Sequence, residues 1–213
     1  MDNPTSVGGH HKPMRRDAQR NQELVLDAAR EVISEFGTDA SMEQVASRAG
    51  VGVGTVYRRF PNKEALVDEL VRLILDELIT AAREALARAD GTGLESFLRT
   101  CGQAFADHRG YVDKLVSHIK TECGTTLNEL MGDLLAQAKE HGQIGSDVTI
   151  GDIRATTWAL RGIIETTATI APEAWKRHLD IHLAGLRTAP LPTRRPSLSR
   201  AQLSQISGVV RRR

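Results

Sequence analysis

Cysteine is scarce in this chain, which has Cys101 and Cys123 among its 213 residues. Two cysteines are too few for a disulfide framework, so the sequence favours a reduced protein of the cytoplasm. The first twenty residues are polar and lack the apolar core of a signal peptide. No apolar run reaches the length of about 18 residues that crosses a bilayer. We therefore expect a cytoplasmic protein without membrane contact.

Signatures of catalysis are also absent. The chain has no glycine-rich phosphate loop, no paired cysteines and no His-Glu-x-x-His run. His178 and His182 stand four residues apart on one predicted helix, but a metal site needs three or four converging groups. The sequence therefore predicts a protein that is not an enzyme and has no cofactor or metal.

Proline is missing between Pro61 and Pro172, and the residues around this gap have a helical pattern. Apolar residues recur at spacings of three and four, without the alternation that marks strands. This pattern predicts an all-α fold. In chain order, the predicted helices span about residues 17–36, 42–49, 52–60, 61–89, 94–107, 109–119, 122–141, 149–170 and 172–187.

Residues 17–60 fit three short helices with a tight turn before the third. Ser41, with Gln44 three residues later, has the pattern of a capping box. Gly50-Val51-Gly52-Val53 supplies the glycine and the buried apolar residue that a steep crossing of two helices requires. The third helix then presents a polar outer face made of Thr55, Tyr57, Arg58 and Arg59. Such a helix-turn-helix typically docks on DNA, and the alternative is an ordinary solvated face.

Lys63 lies in the first turn of the predicted fourth helix. A cation there meets the positive end of the helix dipole, at a cost of about 0.3 kcal/mol or more. A DNA phosphate docked at this terminus reverses that penalty. The alternative is that the neighbouring Glu64 simply balances the charge.

The segment from Ser41 to Leu66 resembles the TetR family of bacterial repressors. The matching pattern is the Gly50-Val51 turn, Gly54-Thr55, an apolar residue, Tyr57, Phe60 and the run Lys63-Glu-Ala-Leu66. The first helix matches through Ala28-Ala29 and Phe36-Gly37. The resemblance implies a homodimeric transcriptional repressor that binds palindromic double-stranded operator DNA and is released by a small-molecule effector. The alternative is a constitutive DNA-binding regulator, or an activator, with no effector.

The resemblance also implies roles for single positions. Those nearest the base edges are Gly52, Val53, Gly54 and Tyr57. Those at phosphates are Thr55, Arg58, Arg59 and Lys63, assisted by Ser41. The chain departs from many relatives because Gly52-Val53-Gly54 has no side chain that hydrogen-bonds a base. Sequence recognition then depends on Tyr57, Arg58, methyl contacts from Val53 and DNA shape.

Four segments follow from these patterns and from the resemblance. They are a flexible basic arm (1–16), the helix-turn-helix domain (17–65), a helical ligand-binding and dimerisation domain (66–187) and a disordered basic tail (188–213). The arm suits contact with adjacent DNA and suits a solubilising role equally well. For the tail, rich in Pro, Ser and Arg, we favour plain disorder.

In the family, the last two core helices pair with their twins in a four-helix bundle. The corresponding apolar stripes predict a dimer interface, although the same stripes suit an ordinary monomer core. The predicted interface residues are Ile153, Leu160, Ile164, Trp175, Leu179, His182, Leu183 and Leu186.

Family members hold an effector between the middle helices of the second domain. Polar residues among apolar ones there are Gln103, His108, Tyr111, His118, Glu122, Asn128, Trp158, Arg161 and Glu165. All except Asn128 are our predicted effector contacts. Arg161 lies within an apolar helix, so it needs an anionic partner, either Glu165 one turn later or a bound acid.

Overall fold

The computed structural model describes residues 12–117, 122–187 and 195–209. Within these ranges all regular structure is helical, which confirms the predicted all-α class. The α-helices are α1 (Lys12–Phe36), α2 (Met42–Ala49), α3 (Val53–Arg59), α4 (Lys63–Ala87), α5 (Gly93–Asp107), α6 (Val112–Ser117), α7 (Glu122–Glu140), α8 (Ile150–Thr167), α9 (Ala174–Leu186) and α10 (Arg200–Val209). Short 3-10 turns cover Gly37–Asp39 and Arg109–Tyr111. None of the helices that the structure describes is long and apolar enough to cross a membrane.

The chain divides into two compact units, Met1–Leu66 (unit 1) and Val67–Arg213 (unit 2). The boundary lies within α4, so this helix begins in one unit and continues in the other. The assignment of a separate role to each unit stays a prediction.

Unit 1 is built on an apolar seam along α1. Val25, Ala29 and Val32 are almost fully buried there. Across the unit, Arg48 of α2 donates to Glu31 at 2.9 Å and to Glu35 at 2.8 Å. These ion pairs are exposed and screened by water, so they contribute little, and apolar burial is the main source of stability.

Two helix starts differ from the sequence-based bounds. Helix α1 begins at Lys12, so residues 12–16 of the predicted flexible arm are helical, while residues 1–11 lie outside the described ranges. Pro13 is tolerated in this first turn because its missing N–H has no helical partner. Helix α4 begins at Lys63 instead of Pro61. The Asn62 carboxamide caps it by accepting from the Ala65 N–H at 2.8 Å.

The core of unit 2 contains α5, α8 and α9 in mutual contact. Gly102 of α5 lies directly against the indole of Trp175 on α9, because a Cβ at Gly102 would come within 2.3 Å of that ring. Trp175 is 2% exposed, so its ring has little room to move away. The absence of a side chain at Gly102 is therefore what allows α5 and α9 to pack closely.

The C-terminal tail differs from its prediction in residues 195–209. A disordered tail was expected after residue 187, but α10 forms here and Leu203 is buried. The hydroxyls of Thr149 and Ser197 lie 2.9 Å apart, and the Leu198 carbonyl would be 2.5 Å from a Cβ on Gly151. The composition of this segment predicted disorder, because prolines and arginines surround the few apolar side chains that anchor it. Residues 188–194 and 210–213 lie outside the described ranges.

We predict opposite effects on stability from two glycine substitutions in unit 2. Gly102→Ala should lower the free energy of unfolding by about 2 kcal/mol, because the indole of Trp175 blocks the new methyl group. Gly132→Ala in α7 should raise it by about 0.5–1 kcal/mol, because a Cβ there meets nothing within 4 Å and alanine favours the helix. Urea denaturation followed by circular dichroism measures both. Equal effects would contradict the close packing of α5 on α9.

Candidate DNA-binding surface and effector cavity

Ser41 begins α2 through the capping box that the sequence predicted. Its Oγ accepts from the Gln44 N–H at 3.2 Å, and the Gln44 side chain accepts from the Ser41 N–H at 2.8 Å. The cap uses the Ser41 oxygen as an acceptor. The hydroxyl proton therefore remains a suitable donor to a phosphate.

The turn between α2 and α3 depends on Gly50. Its φ of 68° is left-handed, a conformation that glycine adopts without strain. The next residue, Val51, donates from its N–H to the Ala46 carbonyl at 3.0 Å and ends α2. Helix α3 starts at Val53, so Val53 is its first residue and not the last residue of the turn.

Helix α3 has one buried and one exposed face. Val56 and Phe60 are 0% and 5% exposed, whereas Val53 and Tyr57 are 40% and 44% exposed. Gly52 and Gly54 are exposed beside them, and a Cβ at either position would meet nothing within 4 Å. The four residues expected near base edges therefore share one open surface.

Polar side chains flank this surface. Tyr57 donates its hydroxyl to Glu43 at 3.4 Å, a weak contact that restrains the ring. Arg58 donates to Thr55 Oγ1 at 3.2 Å, and Arg59 is exposed. Lys63 is half-buried at the first residue of α4.

A groove of about 290 Å³ lies between α1 and α3. Thr55, Arg58 and Arg59 line it on the α3 side, and Asn21 and Gln22 on the α1 side. The two amide side chains are additional candidates for phosphate contact, since carboxamides commonly hydrogen-bond the DNA backbone. Sequence reasoning missed them because it assigned α1 a supporting role only.

The predicted dimer contacts on α8 and α9 lie mostly inside the single chain. Seven of them are buried in the monomer: Ile153, Leu160, Ile164, Trp175, Leu179, Leu183 and Leu186. Side chains this deeply buried have little surface to offer a partner, so for these residues the dimer contact stays a prediction. They form the monomer core, which was the alternative. His182 differs because it is only half-buried.

His178 and His182 lie together on α9. Their ring centroids are 4.3 Å apart in an edge-to-face arrangement. Burial, and then the charge of His178, lowers the pKa of His182. His178 Nε2 and His182 Nδ1 are buried and have no hydrogen-bond partner in the part of the chain that the structure describes. Among the residues that the structure describes, no three His, Cys, Asp or Glu side chains cluster as metal ligands.

The predicted effector contacts that the structure describes have several different partners. Gln103 is exposed and donates to Asp107 at 2.8 Å. His108 and Tyr111 hydrogen-bond each other at 2.8 Å. Arg161 pairs with Glu165 at 2.7 Å, so its anionic partner is its own helix neighbour. His118 and the side chain of Glu122 lie outside what the structure describes.

Unit 2 contains a mostly apolar cavity of about 70 Å³ bounded by α4, α5, α6, α7 and α8. Trp158, one of the predicted contacts, lines it, and so does Asn128. Arg154 also lines it and donates to the Asn128 carboxamide oxygen. Burial lowers the pKa of Arg154 and raises that of the Cys101 thiol, which also lines the cavity, to about 12. The thiol is therefore protonated and inert at neutral pH.

Sequence reasoning missed Arg154 because it follows Asp152 near the start of α8 and looks like a surface residue. Arg154, Thr157 and Trp158 follow one another at helical spacing, and all three line the cavity. This shared stripe with Trp158 is the signal that marks Arg154 in the sequence.

Comparison with known proteins assigns both parts of the chain. Residues 25–70 match the family model of bacterial regulatory proteins of the tetR family. Residues 89–188 match the model of the C-terminal domain of SbtR-like transcriptional regulators. The chain is 32% identical over 187 residues to the transcriptional repressor KstR2 of Rhodococcus jostii strain RHA1, covering 78% of this chain and 91% of that protein. The chain belongs to the TetR family.

Solved structures agree with this assignment. A TetR regulator from Mycobacterium vanbaalenii has 31% identity and a TM-score of 0.62, covering 83% of this chain and all of that one. The TetR regulator SCO0520 from Streptomyces coelicolor has 30% identity and a TM-score of 0.61, covering 79% and 99%. This TetR-family chain is therefore a DNA-binding transcription regulator. The prediction that it is not an enzyme is confirmed by the regulators to which it is related.

Two substitutions should separate base recognition from phosphate contact. Tyr57→Ala should weaken binding to the preferred DNA by about tenfold and relax sequence preference. Lys63→Ala should weaken binding to all sequences alike and reduce the salt slope by about one unit. Fluorescence anisotropy on preferred and scrambled duplexes, at several salt concentrations, measures both.

The matched control for Tyr57 is Tyr57→Phe, which keeps the ring and removes the hydroxyl that contacts Glu43. If the ring supplies the contact, Tyr57→Phe retains most of the affinity. Unchanged binding in both Tyr57→Ala and Lys63→Ala would contradict the recognition surface assigned to α3 and the start of α4.

Proposed function

We propose that this TetR-family regulator is a homodimeric repressor that binds palindromic operator DNA and releases it when a small-molecule effector enters unit 2. The observation that carries the DNA-binding part is the open face of α3. There Val53 and Tyr57 are exposed beside Arg58 and Arg59. Exposed apolar groups flanked by cations suit a surface that contacts both thymine methyls and phosphates. A repressor that acts on operator DNA is expected in the cytoplasm.

The form of base recognition follows from the two glycines on this face. Gly52 and Gly54 let the backbone approach the groove closely but add no hydrogen-bonding side chain. Direct recognition is then limited to Val53 methyl contacts and to Tyr57 and Arg58. DNA shape supplies the remaining specificity. We expect an operator with few strictly required bases in each half-site.

Dimerisation is proposed for the outer faces of α8 and α9, because their inner faces are consumed by the monomer core. Ile181 of α9 is 59% exposed, and Ile170, just beyond α8, is 91% exposed. Large apolar side chains this exposed favour contact with a second surface. A second copy of the chain offers the same helices, and a two-fold axis pairs each with its twin.

Effector control is proposed to act through α4. The helix carries Lys63 at its first residue and Leu75 and Leu78, which line the cavity, three to four turns later. A ligand in the cavity therefore touches the helix that also holds a candidate phosphate contact. Release requires that the ligand prefer a state in which the two recognition helices no longer match grooves about 34–36 Å apart. The repressor name of the relative KstR2 supports this direction of control.

A constitutive DNA-binding regulator is the second candidate, and the cavity size favours it. The cavity of about 70 Å³ is well below the roughly 300–1,000 Å³ of ordinary ligand pockets. Operator binding that no small molecule weakens would support this alternative.

The proposal is tested by titrating the full chain onto DNA from upstream of its own gene and following fluorescence anisotropy at several salt concentrations. We expect tight, sequence-selective binding by two protomers, with affinity that falls steeply as salt rises. Weak binding that ignores sequence at every salt concentration would overturn the repressor assignment.

The dimer surface makes a separate prediction. Ile181→Asp should convert the protein to a monomer at micromolar concentration, because a carboxylate would be buried without a partner. Sedimentation velocity measures this. Leu24→Asp is the control, since Leu24 is 43% exposed but lies on α1. An Ile181→Asp protein that remains dimeric would contradict the proposed surface.

A further inference from the structure

Arg154 has a neutral hydrogen-bond partner, whereas three other arginines on the helices of unit 2 form ion pairs. Arg72 pairs with Glu69 and Asp76, Arg99 with Glu95 and Asp180, and Arg161 with Glu165. Arg154 is half-buried, and its hydrogen-bond acceptor is the neutral carboxamide of Asn128. No carboxylate among the described residues pairs with it. The cavity is therefore lined by a partly desolvated cation that has no counter-charge among the described residues.

Such an arrangement is unfavourable without a counter-charge. Desolvation disfavours the charged guanidinium, and it lowers the pKa of Arg154. A guanidinium has five N–H donors in a planar fork, and the Asn128 oxygen takes one of them. The remaining donors suit a planar anion with two acceptor oxygens, which a carboxylate provides.

Apart from Thr157, the rest of the lining is apolar or small, and it determines which chemical group suits the other end of the ligand. Leu78, Phe105, Leu127, Met131 and Trp158 surround the cavity on the helices that bound it. A fully charged or sugar-like molecule would leave its polar groups unpaired against these side chains. A ligand with an aliphatic or aromatic portion would pack well against these side chains.

We propose that the effector is an amphipathic carboxylate, whose carboxylate pairs with Arg154 beside Asn128 and whose apolar body packs against Phe105, Met131 and Trp158. This inference rests on the proposed effector control and names the chemical class of the ligand. It assigns ligand binding to Arg154 and leaves Arg161, which already has Glu165, outside the site.

The small size of the cavity gives the ligand a way to act. Its volume of about 70 Å³ is less than half of the roughly 150 Å³ that accommodates benzene in an engineered cavity. A body of more than a few carbon atoms must therefore displace lining side chains, among which Met131 is the most adaptable. A ligand that binds only the expanded cavity shifts the population towards that state, as effector control requires.

The test compares straight-chain carboxylates with their matched alcohols on the full-length protein. The probes are butanoate, hexanoate, octanoate and decanoate, each beside the 1-alcohol of the same length and below any micellar concentration. Thermal unfolding screens them, because a ligand that binds only the folded protein raises Tm. Isothermal titration calorimetry then gives Kd for the acid and the alcohol of the best length.

Three variants locate the charge that selects the acid. Arg154→Leu should weaken carboxylate binding by about tenfold or more and leave alcohol binding little changed. Arg154→Lys should keep part of the preference for the acid, since it keeps the charge but not the planar fork. Arg83→Leu, at an exposed arginine on α4, is the matched control and should bind as the wild type does.

Folding of the Arg154→Leu protein is checked without ligand. Removal of a desolvated cation that lacks a counter-charge should leave Tm unchanged or raise it. If Tm falls sharply instead, the Arg154→Lys protein carries the comparison of acid with alcohol.

The outcomes separate this inference from the proposed function. Preference for the acid in the wild type, lost in Arg154→Leu, supports a carboxylate effector. Equal binding of acid and alcohol, or selectivity that persists in Arg154→Leu, overturns it. An alcohol that binds and releases DNA overturns the carboxylate while the effector-controlled repressor stands. If no probe binds, the carboxylate proposal is also overturned. The repressor assignment is tested separately, because it fails if the protein without any ligand does not bind DNA.

Discussion

The burial of Val56 and Phe60 beneath α3 is the constraint on which the DNA-binding surface depends. Their burial fixes the rotation of a helix of only seven residues, which has little intrinsic stability of its own. Val53 and Tyr57 must then face outward, with Arg58 and Arg59 beside them. The left-handed Gly50 sets where that helix starts. A polar substitution at Val56 would thus disturb recognition without touching DNA.

An equivalent constraint in unit 2 is the use of one face of α8 and α9 for the monomer core. Trp175 against Gly102 brings α5 and α9 into close contact, and Leu160 and Leu179 are fully buried nearby. Once those faces are consumed, a partner can meet only the opposite faces, where Ile181 lies. The cavity with Arg154 lies along another stripe of α8. Helix α8 thus supplies both core and cavity lining, and α9 supplies core and the proposed interface.

Local signals in the sequence predicted unit 1 well. The Ser41 capping box, the turn at Gly50 and the inward and outward faces of α3 all follow from short-range rules of spacing and backbone conformation. Asn62 as the cap of α4 was missed because Pro61 offered a competing helix start. In unit 2 the helix count was accurate up to residue 187, with only small shifts of boundary. Segment 195–209 was not foreseen, since few apolar residues anchor it.

What the sequence could not predict in unit 2 has one physical origin. Periodicity shows that Leu160 and Leu179 face something apolar, but it does not tell whether that surface belongs to the same chain or to another. Arg154 was overlooked and Arg161 was singled out for a similar reason. The partner of a buried charge depends on tertiary contacts, here Asn128 on α7 for one and Glu165 for the other.

Selection from a random DNA library tests most directly the central claim that a pair of these chains recognises sequence through α3. Full-length protein is incubated with duplexes carrying a randomised region, and bound DNA is sequenced over several rounds. The account predicts one enriched palindrome, with half-site centres separated by about one helical turn or a multiple of it. Enrichment of unrelated sequences, or of a single half-site without symmetry, would contradict it.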